Sequence, residues 1–169
     1  MMRTSWNLAP EPYDSPVAVA LWRAYYTEVS DRWYLLHEGH ATDPAELERG
    51  IAKGVQEQLA PPRGQLIVGR HDGEPAGTAG VRLTDADPGV AELTRVFVRE
   101  ELRGKGGAPL LVAAAEDAAR ALGARVLRLD TRSDLVEARA LYARLGYEET
   151  AAHNDDIYAE HWFSKRLVP

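Results

Sequence analysis

The 169-residue sequence has no cysteine. That excludes disulfides, thiolate metal sites and a cysteine nucleophile. Its 5 histidines never fall at a metal-ligating spacing, so no metal is expected. No serine stands in a G-x-S-x-G turn, which argues against an acyl-enzyme. Apolar runs are short, and none approaches the ~18 residues of a membrane span. The opening, MMRTSWNLAPEPYD, lacks an apolar core followed by a cleavage site, so a leader peptide is not expected. The resulting expectation is a cytoplasmic protein without membrane contact. Positive charge is also scarce. Lys and Arg number 20 against 26 Asp and Glu, a net charge of −6. No basic face for nucleic acid is visible. The acidic balance is compatible with a cationic partner such as an amine.

Hydrophobic residues make up 45% and charged residues 27%, the composition of a globular chain. Its length suits a single domain over residues 1–169. Its centre is the stretch Val90–Ala108. Val90, Leu93, Val96, Phe97 and Val98 predict a strand. Arg103-Gly104-Lys105-Gly106-Gly107-Ala108 follows, and Pro109 opens an alanine-rich helix to Leu122, stopped by Gly123. Glycines admit an anion close to the backbone, and a first helical turn leaves N–H groups unpaired. Arg103 and Lys105 add charge, so a phosphate or pyrophosphate ligand is expected. The alternative is a ligand-free strand-to-helix turn. The loop is not a P-loop, since no Gly-Lys-Ser/Thr closes it. It also fails G-x-G-x-x-G, because Pro109 takes the third glycine's place.

Around this centre the remaining elements can be read in order. Residues 1–13 predict a short strand or a loose arm. A helix starts at Pro16, with Val17, Leu21, Trp22, Tyr25, Val29 and Trp33 at helical spacing. Its aromatics, with Tyr26 and Tyr34, fit the core or the wall of an acceptor pocket. Asp43-Pro44-Ala45-Glu46 reads as a capped helix start, and Leu47, Ile51, Val55 and Leu59 carry a stripe to about Leu59. Gln65–Gly69 and Ala76–Leu83 predict a hairpin about His71-Asp72-Gly73-Glu74. Arg125–Thr131 alternates as a strand. Ser133 or Asp134 then caps a helix through Ala138, Leu141, Tyr142 and Leu145, ended by Gly146. Residues 147–150 and 157–167 predict the last strands. The order implies an α/β (α+β) fold, one mixed sheet flanked by helices.

Two segments resemble a known family. Arg-x-x-Gly-x-Ala at Arg103–Ala108, after a hydrophobic strand, is similar to the acetyl-CoA signature of the GCN5-related N-acetyltransferases (GNAT superfamily). EARALYARLGY is similar to that family's A-x-x-L-Y-x-x-x-G-F/Y ending, at Ala138, Leu141-Tyr142 and Gly146-Tyr147. Both occur in family order within residues 90–150. The tail His153–Lys165 resembles a bacterial branch of unassigned substrate, where Asn154, Tyr158, His161 and Trp162 border the acceptor pocket or simply close a hairpin.

The resemblance implies a mostly antiparallel mixed sheet with helices on both faces, splayed at the strand before the glycine loop. It also implies an acetyl-CoA-dependent N-acetyltransferase working by direct attack of an amine. Residues 103–108 would hold the pyrophosphate. Val96, Phe97 and Val98 would pair with the pantetheine like an added strand, with the Phe97 N–H polarising the thioester carbonyl. Tyr142 is the candidate general acid, its phenol protonated at neutral pH; the alternative is a packed tyrosine. Glu92 is the candidate general base; the alternative is a strand glutamate in a salt bridge. Thr94 shares the strand parity of Glu92, and Leu93 and Arg95 have the other. The sequence departs from the family at Leu135, where many relatives carry an asparagine that touches the pantetheine. The expected acceptor is a small-molecule amine, with a protein N-terminus or lysine next. A non-catalytic acyl-CoA sensor on the same fold is one competing class, and a nucleotide-binding α/β protein is the other. A homodimer is compatible with the family.

Overall fold

The computed structural model describes residues 5–55 and 57–168. Residues 1–4, part of the segment read for a leader and a first strand, lie outside the described residues. Trp6–Glu11 (β1) is a strand rather than a loose arm. It pairs with Gly64–His71 (β2), which forms the expected hairpin with Glu74–Leu83 (β3). Val90–Val98 (β4), Val126–Thr131 (β5), Glu148–Thr150 (β6) and His161–Arg166 (β7) complete one sheet, ordered β1-β2-β3-β4-β5-β7-β6. Every neighbouring pair is antiparallel except β4 and β5.

Pro16–His37 (α1) begins where Ser15 Oγ accepts from the Ala18 amide at 3.0 Å, with proline in its first turn. Pro44–Lys53 (α2) begins at the Asp43 cap, whose carboxylate accepts from the Glu46 amide at 3.2 Å. The stripe expected to carry this helix to Leu59 stops six residues early. Gly54 ends the helix and packs so closely under Trp22 that an added Cβ would stand 2.0 Å from the indole. The chain then leaves Val55 43% exposed and returns Leu59 to the core in a 3-10 turn.

Gly107–Ala121 (α3) links the parallel strands β4 and β5, and Val136–Arg144 (α4) follows β5. The expected cap of α4 by Ser133 or Asp134 is not formed. The helix starts after Leu135 with no side-chain cap. The Asp134 carboxylate is taken by Arg132, with two contacts of 2.9 Å, and by Arg32 at 3.4 Å. β7 also starts later than the sequence suggested. Asp156 accepts from the Tyr158 amide and folds residues 156–159 into a turn, leaving Ile157 85% exposed.

Helices cover both faces of the sheet. Leu111, Val112, Ala115 and Ala119 of α3 pack with Val81, Leu93 and Leu127 in one cluster. Leu21 of α1 packs with Leu59, Leu66, Val68 and Phe97 in the other. Each buried Leu, Val or Phe among these contributes about 1.5–3 kcal/mol relative to exposure.

β4 serves both clusters because it changes parity midway. Ala91 and Leu93 face α3, whereas Phe97 faces α1. The change occurs at Arg95, which adopts φ 57°, while the pairing with β3 slips between Thr78 and Gly80. An extra residue in one strand does this, since a one-residue slip turns every later side chain over. Arg95 therefore leaves the face of Leu93, to which simple alternation assigns it, and lies against Trp22 on the α1 side. The Thr78 hydroxyl donates to the Arg95 carbonyl at 2.6 Å, satisfying the group the bulge would leave buried and alone.

Candidate active site

β4 and β5 pair only through Val90–Val126, Ala91–Leu127 and Glu92–Arg128. Beyond Glu92 they part, and a groove of about 710 Å³ opens between them. Leu93 to Val98 line one side, and Leu129, Asp130, Thr131, Leu141 and Tyr142 the other. Arg103, Gly104, Gly106, Ala108 and Pro109 close one end. The groove thus lies at the carboxyl ends of two parallel strands, where open sheets place ligands.

At the closed end the chain turns through Gly104 at φ 78° and Gly106 at φ 83°, a left-handed backbone that other residues adopt only with strain. Space above both glycines is open, with nothing within 4 Å of an added Cβ. Gly106 caps α3 without any side-chain bond. The first-turn amides of Gly107 and Ala108 have no carbonyl one turn back, and the positive end of the helix dipole adds to them. The Arg103 guanidinium stands beside this turn. Its Nε donates to the Val98 carbonyl at 2.8 Å and its Nη2 to Glu28 at 2.6 Å. These features suit a diphosphate.

Of the residues expected to hold that ligand, Val96, Phe97, Val98, Arg103, Gly104, Gly106 and Ala108 line the groove. Lys105 and Gly107 do not. The Lys105 carbonyl accepts from Trp6 Nε1 at 2.9 Å, and Gly107 lies under the same indole, where a Cβ would approach to 2.3 Å. Phe97 lines the groove, but its main chain faces β3. It pairs with Thr78, and its carbonyl lies 2.3 Å from where a Gly77 Cβ would stand. By alternation the main chain directed at the groove is that of Val96 and Val98, consistent with the Val98 carbonyl reaching Arg103. An N–H for the thioester carbonyl is therefore sought at those residues, not at Phe97.

Tyr142 is 7% exposed, with its ring 5.8 Å from Tyr147 and 6.1 Å from Phe163. Burial pushes its phenol well above the usual tyrosine range. The second aromatic of the same motif has a different task. The Tyr147 hydroxyl donates to the buried Glu116 carboxylate at 2.8 Å, and Lys165 reaches the same carboxylate at 3.1 Å. Glu92 is in the groove too, with one carboxylate oxygen 2.9 Å from Arg82 and the other 3.4 Å from Arg128.

Asp130 escaped the sequence reading. It is half-buried and accepts from Asn154 Nδ2 at 2.7 Å. Burial is the main cause of its raised pKa. The usable signal was its place: it is the acid near the carboxyl end of a strand parallel to β4.

Asp130 also lines a second cavity, of about 360 Å³, that continues the groove toward α1 and α2. Tyr25, Val29, Arg82, Thr94, Arg95 and Leu135 are shared by the two. Leu135 presents an apolar wall where the family pattern has asparagine. Of the tail residues, Tyr158 lines this second cavity. Asn154 acts through Asp130 and also accepts from Trp162 Nε1, while His161 bonds Ser133 and Glu149.

Residues 18–147 match the model of the Acetyltransferase (GNAT) family. The uncharacterized N-acetyltransferase YjgM of Escherichia coli (strain K12) is 37% identical over 79 residues, which are 46% of this chain and 47% of that protein. An uncharacterized N-acetyltransferase of Azospirillum brasilense is 41% identical over 99 residues, 56% of this chain and 57% of that protein. The matches thus span about half the length of these relatives. The PaiA N-acetyltransferase of Thermoplasma acidophilum, solved in complex with coenzyme A, superposes with a TM-score of 0.69 at 15% identity. That superposition covers 96% of this chain and 99% of the other, and the likeness is one of fold.

Proposed function

This chain belongs to the acetyltransferase (GNAT) family, and from that premise we propose that it moves the acetyl group of acetyl-CoA to a primary amine of a small molecule by direct attack. One observation carries the reading. A single continuous cleft has a glycine turn at one end, Tyr142 with two carboxylates in its middle, and an aromatic-walled cavity at the other. The cavity's size suits a small acceptor rather than a folded protein surface.

Acetyl-CoA, when bound, supplies an activated acyl thioester and a thiolate leaving group. The turn from Arg103 to Ala108 fits its diphosphate, because the open left-handed glycines let the backbone approach closely. Val96 and Val98 offer main-chain groups along the parted edge of β4, as a strand offers them to an added strand. An N–H there also stabilises negative charge developing on the acyl oxygen.

An alkylammonium has no lone pair, so the acceptor must lose a proton before or as its nitrogen bonds to the acyl carbon. Glu92 has both oxygens engaged by guanidinium groups. Asp130 has one oxygen held by a neutral amide, and its burial raises its proton affinity. Asp130 is therefore the proposed proton acceptor and Glu92 the second candidate, directly or through water. Burial raises the pKa of Tyr142, so its phenol is protonated at neutral pH. A phenol less acidic than a thiol holds a departing sulfur by hydrogen bonding rather than by full transfer. The C–S bond breaks as the C–N bond forms, and the proton held by Asp130 passes to solvent or to the thiolate.

The test is thiol release from acetyl-CoA with a panel of small amines, beside calorimetric titration with CoA. Amine-dependent release is expected. CoA binding without release by any amine would leave an acyl-CoA sensor, and no binding would remove the reading altogether.

A further inference from the structure

The cavity beyond Asp130 has a chemistry that the reaction does not require. Its walls are rings: Trp22 and Tyr26 on one side, Trp33, Tyr34 and Tyr158 on the other. Trp33 meets Tyr34 and Tyr158 edge-on, at 4.9 and 5.7 Å between centroids. Faces of such rings attract cations. One face already holds one, since the Arg95 guanidinium lies 3.8 Å from the Trp22 centroid and donates to the Gly54 carbonyl.

Charge in the cavity points the same way. Arg82 pairs with Glu92, and Arg132 pairs with Asp134. Three carboxylates line the space, and among the described residues none has a cation within 4.0 Å. Asp130 accepts from Asn154, Glu46 from the Tyr34 hydroxyl, and Asp156 from the Tyr158 amide, all neutral donors. Against them stand Arg95, itself committed to Trp22, and the one positive charge in excess where Arg82 and Arg128 share Glu92. The reacting amine answers Asp130 and Asp156, which both line the groove as well as this cavity. Glu46, on the α2 side beside the Tyr34 hydroxyl, is left without a counter-charge.

We propose that the acceptor carries a second, non-reacting positive charge, as a short diamine or a polyamine does. Its far ammonium sits among Trp33, Tyr34 and Tyr158 and faces Glu46, while its near amine is presented beside Asp130 and Asp156. This rests on the acetyltransferase reading of the cleft and adds the class of acceptor to it.

Three probes of matched length separate the possibilities: putrescine, n-butylamine and γ-aminobutyrate, whose far ends are cationic, neutral and anionic. Thiol release from acetyl-CoA and calorimetric binding to the CoA-saturated protein are measured for each. Putrescine should exceed n-butylamine by about tenfold or more in kcat/KM and in affinity, the scale of a cation held by rings and carboxylates. γ-Aminobutyrate should be weakest. Glu46→Gln, which keeps an acceptor for Tyr34, should bring the putrescine to n-butylamine ratio toward one. Equal use of the first two, or a preference for γ-aminobutyrate, would overturn the proposal. If no amine releases thiol while CoA binds, the acetyltransferase reading fails separately. The three binding isotherms then decide the cation site alone, and equal affinities reject it.

Discussion

Asp130 and Tyr142 carry opposite demands on burial. A carboxylate that folding desolvates holds its proton more tightly than in the unfolded chain. Its charge then costs stability once the pH exceeds the folded-state pKa, and costs nothing below the unfolded value, where both states are protonated. Asp130→Asn should therefore raise Tm near neutrality and leave it unchanged in acid, as thermal unfolding at the two conditions would show. Turnover should fall by about 10²–10⁴, the usual worth of a positioned base. The acidic limb of the kcat/KM profile, set above the ordinary aspartate range in the native protein, should vanish with it. Glu92→Gln serves as the control, because loss of that limb there instead would move the proton acceptor to Glu92. Tyr142→Phe removes a donor but no packing volume. Its CoA affinity by calorimetry should stay within about threefold, while thiol release drops by roughly tenfold to 10²-fold. Of these residues the sequence pointed to Tyr142, whose spacing a motif fixes, and to Glu92, by its place on the strand before the glycine loop. Asp130 depends on Asn154, 24 residues away, and on a cavity built by α1. No local pattern encodes those contacts.

Among the elements, β4 shows where a pattern misleads. Val90 to Val98 reads as one uninterrupted strand, and so it is. Nothing in the letters marks the bulge at Arg95, because arginine is an ordinary strand residue and its φ of 57° is imposed from outside. The imposing contacts are the Thr78 hydroxyl below its carbonyl and Trp22 over its guanidinium. Thr78→Val keeps the shape and deletes that bond. Leaving a buried carbonyl unmet costs about 1–3 kcal/mol, measurable as a lower urea midpoint. The KM for acetyl-CoA should rise as well, since Val96 and Val98 lose their fixed direction. The neighbouring elements were legible wherever local chemistry decides, as at the Asp43 cap and the Asp72-Gly73 turn. They were misread where a distant partner intervened. Asp134 was free to cap α4 until Arg132 and Arg32 took it, and α2 ran on to Leu59 until Trp22 required Gly54 beneath it.

For the molecule as a whole, the pairing of β4 with β5 for only three residues leaves an open groove through the middle of the sheet. A ligand that fills the groove binds the folded chain alone and must stabilise it. Acetyl-CoA at ~100 times its Kd should add about 2.7 kcal/mol, or roughly 5–10 °C in Tm for a chain of this size. A thermal-shift titration checks this, and no shift at saturation would contradict ligand binding in the groove. The fold class followed from the order of elements, since a strand, glycine turn, helix and strand in succession make a parallel pair. The aromatics of α1 and Tyr158 were each readable as pocket wall or as core and hairpin edge, and they line one cavity. That they meet there was not legible, because α1 and the turn at Tyr158 lie more than a hundred residues apart.

Trp6 reaches from the outermost strand to rest on Gly107 and to grip the Lys105 carbonyl. The hinge of the glycine turn is thus bolted to the rim of the sheet. If the turn binds as proposed, a disturbance at that rim, far from the acyl chemistry, would be felt first as a slackened hold on nucleotide phosphates, with the proposed catalytic middle of the cleft still intact.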